Sequence, residues 1–138
     1  MKRMLKFLTA AFSAFLAVVF LMSFIAAQQK PKAWDVPANY KSMKNPVKSS
    51  AESIENGKAL YNTNCASCHG KKGLGDGPKA RTLETSSGDM SGAAYQSQTD
   101  GEHFYKTKFG RGEMPKYDKK ISDDDIWAMV NYMRTFKK

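Results

Sequence analysis

The sequence predicts an all-α domain in which three main helices are joined by long loops. Three observations carry that reading. A capped, amphipathic stretch closes the chain, and a second helical stretch leads into its only two cysteines. No alternating apolar and polar run of useful length is present to make a strand.

The closing helix is the clearest of the three. Ser122 offers a hydroxyl at the N-cap, and Asp123, Asp124 and Asp125 put carboxylates in the first turn, where the helix dipole favours them. Ile121 and Ile126 stand at the two positions of a hydrophobic staple. Ile126, Met129, Val130, Met133 and Phe136 recur at helical spacing and form one apolar face, flanked by Trp127 and Tyr132. A second helix is expected over about 53–64, with Ile54, Leu60 and Tyr61 as its apolar positions. A third, shorter one over about 101–108 carries Phe104 and Tyr105. The loops between them are long for an ordinary domain, so they call for something else to pack against.

Three segments follow from composition. Residues 1–27 begin with Lys2, Arg3 and Lys6 and continue in a nearly uncharged stretch from Leu8 to Ala27, the layout of a secretory signal. The apolar run also reaches the roughly 20 residues that cross a bilayer. Ala26 and Ala27 are small enough for a cleavage site, but Ile25 is bulky for the −3 position. A cleaved signal peptide and a retained membrane anchor through residues 8–27 are thus both open, and either exports the rest. The expected location is extracytoplasmic, in a bacterial periplasm or on the outer face of the cytoplasmic membrane. Residues 28–50 are rich in Lys and Pro, and Pro31, Pro37 and Pro46 interrupt any helix, so this is a linker or a strap over the domain. Trp34 and Tyr40 would be wasted in a pure linker. Residues 51–138 are the folded unit, at the small end for a self-sufficient core, where a metal or covalent cofactor commonly adds stability.

The chain carries 22 basic and 13 acidic residues; removing Lys2, Arg3 and Lys6 leaves 19 basic ones, a net +6. That balance favours anionic partners. It does not point to nucleic acid, because acidic residues are interspersed and no basic stripe with interleaved aromatics occurs.

Cys65-Ala66-Ser67-Cys68-His69 concentrates the chemistry. A C-x-x-C-H run is the attachment pattern of a c-type haem. Two thiols three positions apart on one helical turn can both reach the vinyl groups of the cofactor, and the adjacent imidazole can then reach iron. Competing readings fare worse. A thioredoxin-like pair would follow a strand, whereas a helical stretch precedes this one. A zinc site needs about four ligands, and His103 is the only other histidine, with no third cysteine. A disulfide between Cys65 and Cys68 would leave His69 unexplained. The glycine-dense run from Gly70 to Pro78 suits close approach of backbone to a flat cofactor. A liganding histidine donates its other ring N–H to an acceptor, for which the Pro78 carbonyl is the candidate.

A haem electron carrier needs a second axial ligand. Of eight methionines, Met114 stands out, in Gly110-Arg111-Gly112-Glu113-Met114-Pro115. The proline holds the preceding residue extended, free to project its thioether inward, and Met/His ligation raises the potential of cytochromes c. Met129 and Met133 read as core, and Met43 and Met90 as strap and loop residues. His103 is the runner-up, expected at the surface or beside an aromatic. Arg81 and Arg111 are candidate partners of haem propionates.

On these residues the chain resembles the class I, mono-haem cytochromes c, over about Gly57 to Phe136. The resemblance rests on Cys65, Cys68 and His69, on the glycine run ending at Pro78, and on Met114-Pro115. It implies a cytochrome c-like fold wrapped around one covalent haem c. It also implies that the first and last helices cross near-perpendicularly through Gly57 and Tyr61, with Tyr132 as the aromatic partner. His69 and Met114 together would leave iron no open site, so the expectation is a one-electron carrier in a respiratory-type chain, not an enzyme, with redox proteins bearing acidic docking surfaces as partners. Its alternative is a haem-bearing subunit of a membrane oxidase, reductase or dehydrogenase complex. A haem enzyme or gas sensor would require an open sixth position.

Overall fold

The computed structural model describes residues 33–138, and the signal or anchor reading of the N-terminal segment lies outside them. Within this unit the chain forms α1 (Ala38–Lys41), α2 (Ala51–Asn64), α3 (Ala66–His69), a single 3₁₀ turn (Ala80–Thr82), α4 (Ala93–Gln96), α5 (Asp100–Phe109) and α6 (Asp123–Arg134). The described residues contain no strand, only an isolated bridge between Arg111 and Met114. No described helix is long and apolar enough to cross a membrane.

Each of the three long helices begins at a side-chain cap, of which Ser122 was read from the sequence. Ser50 accepts from the Ser53 amide and Thr99 from the Glu102 amide, each within a reciprocal capping box. Ser122 accepts from the Asp125 amide, with three aspartates in the first turn. The two predicted spans, 53–64 and 101–108, hold to within two residues, and the closing helix starts just after its predicted cap at Ser122.

α2 crosses α6 at Gly57. A Cβ there would collide with the Ala128 carbonyl, so the backbones meet at a point that only glycine permits. One turn on, Tyr61 is fully buried and packs edge-on against Tyr132 at 5.4 Å and Phe136 at 5.3 Å between ring centroids. The core continues through Ile126, Met129, Val130 and Met133 of α6. Phe104 of α5 stacks on Trp127 at 4.1 Å, which puts both rings in the core. Lys108 binds Asp123 at 2.7 Å and Arg134 binds Asp100 at 2.6 Å, joining both ends of α5 to α6.

Residues 33–50 lie against these helices. Val36 is buried, and Tyr40 meets Phe104, Tyr105 and Phe109. Gly101 of α5 makes room, since a Cβ would strike the Tyr40 carbonyl. Further along, Asn45 donates to the Trp127 carbonyl at 3.1 Å and to Asn131 Oδ1 at 2.9 Å. Asn131 in turn donates to the Val47 carbonyl and to Ser53 Oγ. A buried amide on α6 thus satisfies the strap and the start of α2 together.

Candidate haem site

α2 ends at Asn64, and the chain turns at once into α3, which carries the motif. The amides of Cys68 and His69 both donate to the Cys65 carbonyl, at 3.1 and 3.0 Å, so the three residues share one helical turn. Cys65 and Cys68 are free thiols, both half-buried. Burial, with Cys68 beside it, pushes the Cys65 thiol up to about 12. A thioredoxin-type nucleophile needs the reverse, a depressed thiol pKa. Cys65 and Ala66 also pack on the core cluster, which fixes α3 against α2 and α6.

The glycine loop folds back onto this turn. Gly75 donates to the His69 carbonyl, Gly77 to that of Cys68 and Lys79 to that of Ser67, at 2.9, 3.2 and 2.8 Å. A Cβ on Gly77 would stand 2.5 Å from the Ser67 carbonyl oxygen, so no larger residue fits. His69 is half-buried, and its Nδ1 is buried with no hydrogen-bond partner. The Pro78 carbonyl, the predicted acceptor, makes no bond to it, although the amides on either side of Pro78 are tied to the motif. Burial lowers the pKa of His69, opposed by the Ser87 backbone, and so favours the neutral imidazole that a metal requires.

Met114 sits in a tight two-residue hairpin. Arg111 and Met114 exchange backbone hydrogen bonds of 3.0 Å each, around Gly112 at φ +56°. Positive φ at the first central position alone is the signature of a type II′ turn, where glycine is required. Gly110, at φ +58°, lets the Met114 and Pro115 carbonyls approach where a Cβ would collide. Two contacts hold the hairpin near the motif. The Tyr117 hydroxyl donates to the Asn64 carbonyl at 2.8 Å, beside Cys65. Glu113 accepts from the Thr85 amide at 3.1 Å, tying in the loop that also carries Ser87.

The other described methionines are committed elsewhere. Met90, Met129 and Met133 belong to the core, where Met90 Sδ accepts from Tyr61 and Met133 Sδ from Tyr95. Met43 is exposed on the strap. His103 is buried and stacked on Tyr95 at 4.1 Å, the packed alternative rather than the surface one. Arg111 lies over Trp34 at 4.3 Å and donates to the Ala33 carbonyl, while Arg81 is exposed. Sequence reasoning missed Tyr117. Its only signal was an aromatic three residues beyond Met114.

Two free thiols and an imidazole on one turn, an orphaned ring nitrogen and an uncommitted thioether form a donor set suited to a covalent haem. Fold and site together define a small all-α haem-binding domain. The Cytochrome c family model matches residues 54–137, more than half of the chain, and the chain belongs to that family, whose cofactor is a covalently bound c-type haem with iron. Cytochrome c550 of Pseudomonas aeruginosa is 31% identical over 91 residues, covering 59% of this chain and 54% of its own. The chain thus spans about half the length of that relative. Among solved structures, the reducing HAO-like protein complex of Kuenenia stuttgartiensis contains a chain alike in fold, with TM-score 0.62 and 22% identity over 83% of this chain and 54% of that one. A c-type cytochrome matches with TM-score 0.53 and 26% identity over 59% of this chain and 98% of its own.

Proposed function

We propose that the chain is a one-electron carrier of the class I, mono-haem type. Cys65 and Cys68 hold the haem through thioethers, His69 is the proximal ligand and Met114 the distal one. The observation that carries this reading is that Met114 lies outside the core on a hairpin fastened to the residue before Cys65, whereas Met90, Met129 and Met133 are core residues and Met43 lies on the strap. The haem supplies an iron centre that alternates between Fe(III) and Fe(II). The protein's part is to hold both ligands still. α3 is pinned by the core and by the glycine loop, and the Met114 hairpin by Tyr117 and Glu113. Fixed ligands leave little to rearrange when the charge on iron changes. In the bound state the Pro78 carbonyl accepts from His69 Nδ1 and fixes its tautomer.

Exposed Lys71, Lys72 and Lys79 follow the attachment turn, and exposed Lys116, Lys119 and Lys120 follow Met114. They support docking to redox proteins with acidic surfaces. The basic and apolar layout of residues 1–27 supports an extracytoplasmic setting, by secretion or by retention at the membrane.

The test is spectroscopic. The purified protein should show one covalent haem by mass, a reversible one-electron couple, and no carbon monoxide binding when reduced. Met114→Ala should bind carbon monoxide and lower the midpoint potential. Ready carbon monoxide binding by the native protein, or an unchanged spectrum in the variant, would overturn the ligation and the carrier role with it.

A further inference from the structure

The N-terminal strap touches the Met114 hairpin at one place. The indole of Trp34 lies under the Arg111 guanidinium, 4.3 Å from ring centroid to Cζ, and Arg111 Nη1 donates to the neighbouring Ala33 carbonyl at 3.0 Å. On the same indole, Lys106 Nζ stands 5.9 Å from the centroid. One ring therefore receives a cation from α5 and a cation from the hairpin. Lys106 is also fastened to Gln98, so it is not free to withdraw. Arg111 in turn is the residue whose backbone pairs with Met114 in both directions.

We infer that Trp34 and Arg111 are positioning residues for the distal ligand: the strap clamps the hairpin and holds Met114 in its liganding position. This rests on Met114 as the ligand. The argument is electrostatic and geometric. Arg111 and Lys106 carry like charges, and both lie over the same electron-rich ring, which attracts each of them. Burial is the main cause that lowers the Lys106 pKa; Glu102 raises it, and the like charges of Arg111 and Lys41 add smaller lowering effects. Remove the indole, and repulsion drives Arg111 outward. The hairpin's other fastenings are at Thr85 and Asn64, and at the Lys108 carbonyl, which accepts from the Tyr117 and Asp118 amides beyond the turn. Because Arg111 and Met114 are opposite partners in a two-residue turn, a displaced Arg111 carries Met114 with it. The strap therefore sets how often the sixth position opens.

Imidazole binding to the oxidised holoprotein and carbon monoxide binding to the reduced form report that opening. Trp34→Ala and Arg111→Gln should each tighten both by about threefold to tenfold, the range expected from losing one cation–π contact. The methionine–iron charge-transfer band should weaken in parallel. Trp34→Phe keeps an aromatic face and should restore most of the native behaviour. Asn45→Ala loosens the strap at its far end and should lower the melting temperature without changing imidazole binding. If Trp34→Ala and Arg111→Gln bind both ligands as the native protein does, or if Asn45→Ala matches them, the clamp is wrong. Met114→Ala separates the two claims. Should it leave the sixth position closed, the ligation fails; should it open the position while the clamp variants do not, only the clamp fails.

Discussion

The Tyr117 hydroxyl donates to the Asn64 carbonyl at 2.8 Å, joining the segment three residues after Met114 to the last residue of α2. The two groups are 53 residues apart in sequence, yet each stands beside a proposed iron or haem attachment point. The Tyr117 ring is buried, and burial pushes its hydroxyl up to about 12, so it stays a neutral donor at any working pH.

Tyr117→Phe keeps the ring and removes only this bond. It should destabilise the fold by about 1 kcal/mol, the net worth of one such hydrogen bond plus a carbonyl left to water. Chemical denaturation measures the loss. An unchanged midpoint would mean that Asn64 finds water at no cost.

Gly57→Ala tests the helix crossing. Its Cβ would collide with the Ala128 carbonyl, so α2 and α6 must separate. Overpacking of this kind costs about 1–3 kcal/mol, and thermal unfolding should begin at least about 5 °C lower. The yield of haem-loaded protein should fall too.

His103 gives the fold a pH dependence. Its ring is buried with neither nitrogen paired, and burial, Arg134 and Lys106 lower its pKa to about 3, against a weak opposing effect of the Tyr95 backbone. The folded state therefore keeps the ring neutral while the unfolded chain protonates it near the ordinary 6.5. The stability is complete above pH 6.5 and declines as the pH falls from there toward 3. The slope is at most about 1.4 kcal/mol per pH unit. Urea unfolding at pH 7 and pH 4.5 should show a larger drop for the native protein than for His103→Phe. Equal drops would remove His103 from the account.

Asn131→Leu removes the amide that serves Asn45, Val47 and Ser53. The Val47 carbonyl loses its donor and the strap its anchor, at a cost of about 1–3 kcal/mol. Limited proteolysis should then cut within residues 33–50 first. Cleavage spread evenly over the domain would show that the strap does not depend on this residue.

Much of this was legible in the sequence, for local reasons. Caps at Ser122 and the staple of Ile121 and Ile126 are encoded within one turn, and so is Cys65-x-x-Cys68-His69. The restricted loop that carries Met114 was readable from its glycines and its proline. The helix crossing at Gly57 and Tyr61, with Tyr132 as partner, came from the family resemblance. What stayed hidden depends on pairing at a distance. Asn45 and Asn131 are ordinary polar residues until α6 and the strap meet. Trp127 read as a flanking aromatic of the closing helix and Phe104 as an aromatic of a separate short one, and only the packing of α5 on α6 stacks them. Short α1 and α4 have no period long enough to detect. Arg111 carried a plausible charge role, but its actual neighbour is an indole 77 residues earlier by number, from 34 to 111.

The crossing of α2 and α6 has a consequence for how the chain is made. Asn56 and Asp125 touch across it, yet they are 69 residues apart. The proposed haem residues Cys65, Cys68, His69 and Met114 all lie between them. While the chain emerges N-terminus first, α2 is complete long before the surface that receives Tyr61 exists. The motif at Cys65 is then open on all sides, accessible to whatever joins thiols to vinyl groups. Addition of residues 123–138 closes that access, because docking α6 ends the cost of a long open loop in one step. The final helix thus acts as a timing element, and a chain that stops before Asp123 should remain an unfolded thiol donor.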